Sequence, residues 1–257
     1  MQISGLQHLN MPSSQVQFSV LSHAAWAPGV VTRSDWLRWA AAPFVLSGTQ
    51  EAAVSAMPPM LRRRAGFLGK MALDVAYQCL AEQTSVPTVF CSRHGDVMRA
   101  LALLDNVVDR EPMSPTNFGL AVHNANAGLF SIARSDQASH VAISAGQSTV
   151  EHGVIEACAL LDQGAERVLL VVCDPSLPPI YAPYLDCVEQ PHAWAWLLAP
   201  AGGSGQLLTL GWSARAPTQA DKNQMPTSLQ VLQFYLNQNS EYVHQDGRRQ
   251  WRWSRHA

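Results

Sequence analysis

One segment, residues 140–174, constrains the fold more than any other: "HVAISAGQSTVEHGVIEACALLDQGAERVLLVVCD". "HVAISA" is predicted to be a strand, and the glycine-containing turn after it leads into a helix predicted over Ser148–Gln163. "ERVLLVVCD" is a continuous apolar run, typical of a strand in a sheet that is covered on both faces. A strand, a helix and a second strand in this order predict two parallel strands joined by a right-handed crossover.

The rest of the chain continues the alternation of strand and helix patterns. A strand is predicted over Gln15–Leu21, and Thr32 or Ser34 is a candidate N-cap for the helix that follows. "FLGKMALDVAYQCL" has apolar residues at every fourth position, which favours a long helix. Further patterns predict a strand in "VPTVFCS" and helices in "GDVMRALALLDNVV" and "SPTNFGLAVHNANAGLFSIA". "HAWAWLLAP" and "GQLLTLGWSA", joined through "AGGSG", are predicted to close the sheet as an antiparallel pair. We therefore expect an α/β layered fold whose mostly parallel central sheet is covered by helices.

The composition changes after residue 215. Residues 1–215 are predicted to form one domain, and residues 216–257 a short C-terminal tail. The tail begins with a polar stretch, and an amphipathic helix is predicted around Thr227–Asn237. Its end, "GRRQWRWSRHA", alternates tryptophan with arginine, which indicates an amphipathic strand at the edge of the sheet. Nucleic-acid binding by this single short basic patch is a weaker interpretation.

Composition and charge exclude several classes of protein. The chain has 257 residues, of which 47% are hydrophobic, enough for a full core. Only 14% are charged, which indicates a surface that is largely apolar or is covered by a partner. A net charge of -2 gives no global electrostatic case for nucleic acid. No run approaches the roughly 18 apolar residues of a membrane span. "MQISGLQHLN" lacks the basic and apolar regions of a signal peptide. We expect a cytoplasmic protein.

The cysteines argue against metal binding and disulfide formation. They lie far apart, with neither a C-x-x-C pair nor the spacing of zinc ligands. Most stand inside apolar runs, so we predict buried, reduced thiols. The five positions are Cys79, Cys91, Cys158, Cys173 and Cys187. Neither a metal nor a cofactor is predicted.

Gln147 occupies the predicted strand-to-helix turn, where open α/β sheets bind ligands. A nucleophile there would gain from the helix dipole, but glutamine is not ionisable and can only exchange hydrogen bonds. Two neighbouring alternatives remain. Ser148 is a substitute nucleophile for which the sequence identifies no base, and Cys91 stands near Arg93 and His94, which could lower the pKa of its thiol.

Several motifs, taken in order, resemble the N-terminal half of the β-ketoacyl synthases, the thiolase-fold condensing enzymes. "SPTNFGLAVHNANAG" is similar to a Ser-Pro, Asn and Ala-Gly pattern of that family, and residues 140–174 resemble its strand, nucleophile helix and next strand. "VLSHAAWAPG" looks like the opening strand and turn, and "LRRRAGFLGKMALDVAYQCL" like the arginine-rich helix. The resemblance covers roughly residues 15–212 and implies the thiolase fold.

Two departures from the family pattern bear on function. Gln147 stands where the family has its nucleophilic cysteine, and after Trp212 no second half follows to supply the two catalytic histidines. His244 and His256 lack the loops that position those histidines. Glutamine at this position is typical of the chain length factor, the inactive partner of a ketosynthase in type II polyketide synthases. A short chain of this kind resembles the chain length factors of aryl polyene pathways, which implies a catalytically inactive subunit.

The same resemblance assigns partners and surfaces. The partners would be a full-length ketosynthase, in a heterodimer or heterotetramer, and an acyl carrier protein with its phosphopantetheine-bound acyl chain. The ketosynthase interface would comprise Ser139, His140, Val141, Ala142, Ile143, Ser144, Asn117 and Phe118. Met98, Leu101 and Leu104 would line the acyl tunnel. A solvated surface is the default interpretation of Arg62, Arg63 and Arg64, and the functional alternative is that they dock the acidic carrier protein through complementary charge.

Two other functions remain open from the sequence. Ketosynthases with glutamine in place of the cysteine can decarboxylate malonyl groups, so carbon dioxide release from malonyl-carrier protein would identify such an enzyme. A carrier-protein-binding module of lipid metabolism would bind the carrier without any ketosynthase.

Overall fold

An eight-stranded sheet organises residues 14–217 and 222–256, which this computed structural model describes. The strand order is β3-β2-β4-β5-β1-β6-β8-β7. The strands are β1 (Ser14–Trp26), β2 (Thr88–Cys91), β3 (His140–Ile143), β4 (Val168–Asp174), β5 (His192–Pro200), β6 (Gln206–Ala214), β7 (Glu241–Asp246) and β8 (Arg249–Arg255). The segment "MQISGLQHLN", which is predicted not to be a signal peptide, lies outside the described residues.

Eight α-helices accompany the sheet in the described part of the chain. They are α1 (Arg33–Ala41), α2 (Pro59–Arg62), α3 (Phe67–Leu80), α4 (Val97–Val108), α5 (Pro115–Leu120), α6 (Ala125–Arg134), α7 (Thr149–Asp162) and α8 (Thr227–Leu236). Thr32 caps α1 in a capping box with Asp35, as its position in the sequence predicts. No helix within residues 14–217 and 222–256 is both long and apolar enough to cross a membrane.

Helices cover both faces of the sheet, so the α/β class predicted from the sequence is confirmed. On one face α7, α1 and α8 pack over a core rich in tryptophan, which includes Trp194 and Trp196. On the other face α3 and α6 pack over a second core, which includes Met71 and Phe130. Along β4, alternate residues point to the two cores, which explains why the whole strand is apolar.

The expectation of a mostly parallel sheet is wrong. Within the described residues β2 pairs in parallel with β3 and β4, and the other five pairings are antiparallel. The predicted antiparallel pairing of β5 with β6 is also wrong, because β1 lies between these two strands. Phe18 on β1 pairs with Pro200 on one side and with Leu208 on the other. Gly205, in the connection from β5 to β6, allows this connection to lie close to β1, since a Cβ at Gly205 would come within 2.6 Å of the Val20 carbonyl oxygen.

The C-terminal segment completes the same sheet. β8 pairs with β6, with Leu210 opposite Trp253, and β7 forms the outer edge beyond it. Trp251 and Trp253 are fully buried in the core under α7 and α8. The basic-aromatic strand is therefore an inner strand rather than the edge. A domain boundary at residue 215 remains a prediction, although strands from both sides of it share this sheet.

Candidate functional site

Gln147 lies on the tight turn that connects β3 to α7. The turn is one 3-10 turn, and Gly146 in it has a φ of +57°, which favours glycine. Thr149 Oγ1 accepts a hydrogen bond from Ala145 N at 2.9 Å and donates one to Gly146 O at 2.7 Å. These bonds fix Gln147 beyond the carboxyl end of a parallel strand, where α/β sheets bind ligands.

The Gln147 side chain is half-buried between two neighbours. Thr227, the first residue of α8, donates from Oγ1 to Gln147 Oε1 at 3.1 Å. Burial raises the pKa of the neighbouring Cys187 thiol, and the Gln147 side chain acts in the opposite direction. A carboxamide is neither ionisable nor nucleophilic at neutral pH. This site can bind a carbonyl or hydroxyl group, but Gln147 does not provide the attacking group for a covalent acyl intermediate.

Close to the same turn, Arg93 is a buried cation just after β2. Its Nη2 lies 2.8 Å from both carboxylate oxygens of Glu189, and its Nη1 lies 2.9 Å from Asp186 Oδ1. Its Nε donates to Asp174 Oδ2 at 3.3 Å, and its backbone N donates to Asp174 Oδ1 at 2.8 Å. Because Asp174 ends β4, Arg93 joins the ends of two parallel strands to the loop that carries Cys187.

Asp186, Cys187 and Glu189 place three potential metal-ligand atoms within 4.8 Å of one another. Arg93 donates to all three, including Cys187 Sγ at 3.0 Å from Nη1. Burial alone would lower the pKa of Arg93, but its acidic neighbours raise the pKa above the usual value, so the guanidinium stays charged. We interpret the cluster as the acceptor set of a buried arginine.

Ser148 is tied to the C-terminal strands. Its Oγ donates to Asp246 Oδ2 at 2.6 Å and accepts from Trp251 Nε1 at 2.9 Å. The sequence alone identifies no base for this hydroxyl, because Asp246 lies far along the chain. Ser148 is buried and its hydroxyl is engaged as donor and as acceptor. This geometry indicates a structural residue that anchors the start of α7, rather than a substitute nucleophile.

The histidines around α7 also make structural contacts. Glu151 is fully buried, and its Oε1 accepts from His244 Nε2 at 2.7 Å and from Trp253 Nε1 at 3.1 Å. His256 Nε2 lies 2.6 Å from Thr209 Oγ1, and His152 Nδ1 lies 2.8 Å from Ser148 O. None of these contacts involves Gln147.

Cys91 is not a reactive thiol. Burial, with the charges of Asp174 and Glu151, raises the pKa of Cys91 far above its usual value, so the proposed lowering by Arg93 and His94 is wrong. Gly153 on α7 packs so closely on Cys91 that a Cβ there would lie 2.3 Å from the thiol sulfur. The predicted burial of the other four cysteines is confirmed, and all five are unpaired.

The five thiols should react slowly in the folded protein. Burial is the largest cause that raises the pKa of Cys187 to about 12, of Cys158 to about 12 and of Cys79 to about 11, so thiolate is scarce at pH 8. We expect a chromogenic disulfide reagent to modify less than one thiol rapidly in native buffer and five in denaturant. Rapid modification of two or more thiols in native buffer would contradict the buried placement.

The comparison that decides the family comes from a model of the beta-ketoacyl synthase N-terminal domain, which matches residues 36–254. The chain belongs to the beta-ketoacyl synthase family. No curated protein matches its sequence.

Solved structures of ketosynthases share the fold. A chain in the complex of the ketosynthase ApeO with its chain length factor ApeC, from Xenorhabdus doucetiae, is 27% identical, with a TM-score of 0.79 over 93% of this chain and 100% of that one. A chain of AntDE:AntF, a type II acyl carrier protein in complex with its ketosynthase bound to the hexaketide, is 11% identical, with a TM-score of 0.65 over 93% of this chain and 99% of that one. The module 6 ketosynthase of the bacillaene synthase from Bacillus subtilis 168 is 12% identical, with a TM-score of 0.56 over 87% of this chain, and only 46% of that ketosynthase is covered.

The residues expected to contact a ketosynthase partner lie on exposed elements of this family member. β3 is an end strand of the sheet, and its four residues are half-exposed. Phe118 on α5 is 60% exposed. Asn117 precedes it and accepts a hydrogen bond at Oδ1 from Arg99 Nη1 at 3.3 Å. These placements leave both elements accessible to a partner.

The three residues expected to line a tunnel are distributed around α4. Met98 and Leu104 are each 55% exposed, and Leu101 is half-buried. Met98 lines a groove of about 340 Å³ together with Leu103, whereas Leu101 and Leu104 are absent from its wall. Helical periodicity explains why Met98 lines the groove and Leu101 and Leu104 do not. Residues four apart share one face of a helix, and Ala102 and Asn106 lie on the same face as Met98 and also line the groove.

The three arginines of the predicted docking cluster have different environments. Arg62 is half-buried, and its Nη1 lies 3.4 Å from the carbonyl oxygen of Ala53. Arg63 and Arg64 are exposed beyond the end of α2. Only the latter two present their side chains on the surface.

Proposed function

We propose that this chain is a chain length factor, a catalytically inactive subunit that pairs with an active ketosynthase and shapes the tunnel for the growing acyl chain. The observation that carries the proposal is Gln147, held by a hydrogen bond from Thr227 at the turn where the family has its nucleophilic cysteine. The 27% identity to a chain of a ketosynthase–chain length factor complex, which this chain covers completely, supports it.

The β3 edge supports strand pairing with the ketosynthase. The backbone oxygens of Ser139 and Ile143 accept from β2, at 3.0 Å from Thr88 N and 3.1 Å from Ser92 N. Because backbone groups alternate in direction along a strand, His140 and Ala142 present theirs to the outer edge. An unpaired apolar edge strand is a template for a strand of another chain. The partner's strand would continue this sheet.

The surface of α4 and α5 supports an apolar partner contact. Met98, Leu104 and Phe118 are each more than half exposed, and so are Val107 and Val108 at the end of α4. Exposed apolar patches of this kind mark interaction surfaces. In the proposed complex this surface is covered by the ketosynthase, and the groove beside Met98 contributes one wall of the acyl tunnel.

The same proposal includes the pathway and the surface that binds the carrier protein. The resemblance to short chain length factors places the complex in an aryl polyene pathway, where the tunnel would hold a rigid polyene chain. The exposed side chains of Arg63 and Arg64 would attract an acidic acyl carrier protein. Reconstitution tests the role: the ketosynthase should elongate malonyl-carrier substrates with this chain and lose defined product length without it.

Replacing Gln147 with cysteine should not create a condensing enzyme. Thr227 donates a hydrogen bond to Gln147 and Cys187 lies beside it, and neither residue is a base that could activate a thiol. We expect the Gln147→Cys variant alone to show no elongation above the wild-type background, measured as acyl products on the carrier protein.

Gln147→Ala serves as the matched control for folding at the same position. Elongation by Gln147→Cys alone would overturn the inactive-subunit proposal. Release of carbon dioxide from malonyl-carrier protein by the wild-type chain alone would favour a decarboxylase instead.

A further inference from the structure

A cavity of about 440 Å³ lies at the end of α8 that is remote from Gln147. Its floor is the stretch of β1 from residue 21 to residue 25, and its walls include Arg33 and Trp36 from α1 and Tyr235 from α8. Thr227 contacts Gln147 at the other end of the same helix. At a rise of 1.5 Å per residue, α8 separates the two places by roughly 12 Å. The cavity is therefore distinct from the site around Gln147.

The floor of this cavity is a strand with one unpaired edge. β6 pairs with β1 only as far as Val20, whereas β5 continues to pair as far as Trp26. The register against β5 shifts between Val20 and Ser22, so β1 has a bulge where the cavity begins. Bulges are frequent next to binding sites because they redirect side chains and end strand pairing. The unpaired edge leaves backbone groups of β1 facing a space that no other described strand fills.

The charge on the cavity wall comes from Arg33. No carboxylate lines the cavity, and Arg33 forms no salt bridge with any residue in the described ranges. The Arg33 side chain is exposed, so its guanidinium can be reached by a molecule in the cavity. Trp36 is only 2% exposed and its indole nitrogen is sealed off, so Trp36 contributes ring carbons to the cavity wall.

His23 and Tyr235 complete the polar wall. The Tyr235 hydroxyl lies 3.4 Å from His23 Nδ1, and the two rings pack edge to face. Burial and then the charge of Arg33 lower the pKa of His23, so this imidazole is neutral at pH 7 and Arg33 supplies the positive charge. The remaining lining is mostly apolar and includes Leu21, Val31 and Leu236.

We propose that this cavity binds a small amphipathic carboxylate, with its anionic head at Arg33 and its apolar body along β1, α8 and the Trp36 ring. Arginine is suited to this head group because its planar guanidinium matches a carboxylate with two parallel hydrogen bonds. The volume accommodates a short acyl or aryl acid rather than a macromolecule. The proposal does not depend on the role of Gln147.

Calorimetric titration of the purified chain with octanoate tests this site, with octanamide as the uncharged analogue of the same length. We expect one octanoate per chain and binding of octanamide that is at least about tenfold weaker, because a charge-assisted hydrogen bond to Arg33 is lost. If the chain is stable only in a complex, the complex is titrated, with the partner alone as a blank.

Two variants locate the binding. Arg33→Gln should weaken octanoate binding about ten- to a hundredfold and leave octanamide binding unchanged. Arg38→Gln, on an exposed arginine of the same helix, should bind octanoate like the wild type. Equal affinity for octanoate and octanamide, no effect of Arg33→Gln, or uptake of many octanoates without saturation would each overturn the proposal.

Discussion

Replacing Arg93 with leucine should lower the free energy of unfolding by about 3–5 kcal/mol, the usual loss when one partner of a buried ion pair is removed. The side chains of Arg93 and Asp174 are 3% and 2% exposed, and that of Glu189 is 9% exposed. Without the guanidinium, both carboxylates would be buried without a counter-charge. Urea unfolding followed by circular dichroism at pH 7 measures the loss.

The expected loss of stability comes mainly from the buried carboxylates of Asp174 and Glu189. The Asp186 side chain is 35% exposed, so water solvates it whether or not Arg93 is present. Arg63→Leu is the matched control, since this arginine is exposed at the end of α2 and should change stability by less than about 0.5 kcal/mol. A loss below about 1 kcal/mol for Arg93→Leu would contradict the view that this residue holds the carboxyl ends of β2 and β4 together.

Replacing Ala142 with proline should abolish the complex with the ketosynthase while leaving the chain folded. The backbone N–H of Ala142 points away from β2, so proline removes a donor from the outer edge of β3 and keeps the inner ladder. We expect the dissociation constant to rise at least about a hundredfold, because proline removes one bond and blocks the close approach of a partner strand. Interferometry with immobilised ketosynthase measures the change.

The control for this variant is Ala142→Val, which favours a strand and keeps the N–H donor. It should bind the ketosynthase within a fewfold of the wild type, and the circular dichroism spectra of both variants should match that of the wild type. If Ala142→Pro folds and still binds like the wild type, the partner does not use the edge of β3.

The sequence predicted local structure well where a single pattern determines it. The strand, turn and helix over residues 140–162 are present as expected, and so is the helix predicted around Thr227. The direction and order of the strands were harder to predict. Nothing local in "HAWAWLLAP" or "GQLLTLGWSA" indicates that β1 lies between these strands, because this arrangement depends on pairing with residues almost two hundred positions away.

In the C-terminal segment, the sequence predicts the strand but not how deeply it is buried. Alternating tryptophan and arginine in "RQWRWSR" correctly indicates a strand with one buried face. The depth of burial depends on what packs above this strand: the Trp251 indole donates to Ser148, just before α7, and the Trp253 indole donates to Glu151 on α7. Charge composition suggested an exposed edge, whereas β7 covers that side of β8.

In the candidate site, too, the sequence identifies one residue, Gln147, and misses the role of another, Arg93. Gln147 stands out in the sequence because a strand-to-helix turn and the family resemblance both point to it. The sequence shows Arg93 only as a neighbour of Cys91, because its acidic partners lie more than 80 positions further along the chain. The available signal was an arginine just after a buried strand, together with the acidic residues of "YLDCVEQ" after the next strand.

The most direct test of the chain length factor proposal is co-expression of this chain with a full-length ketosynthase encoded by the same organism, followed by native mass spectrometry of the purified material. The proposal predicts a stable complex with equal numbers of the two chains, one of each or two of each. A well-folded chain that purifies without the ketosynthase, at the mass of itself alone, would contradict it.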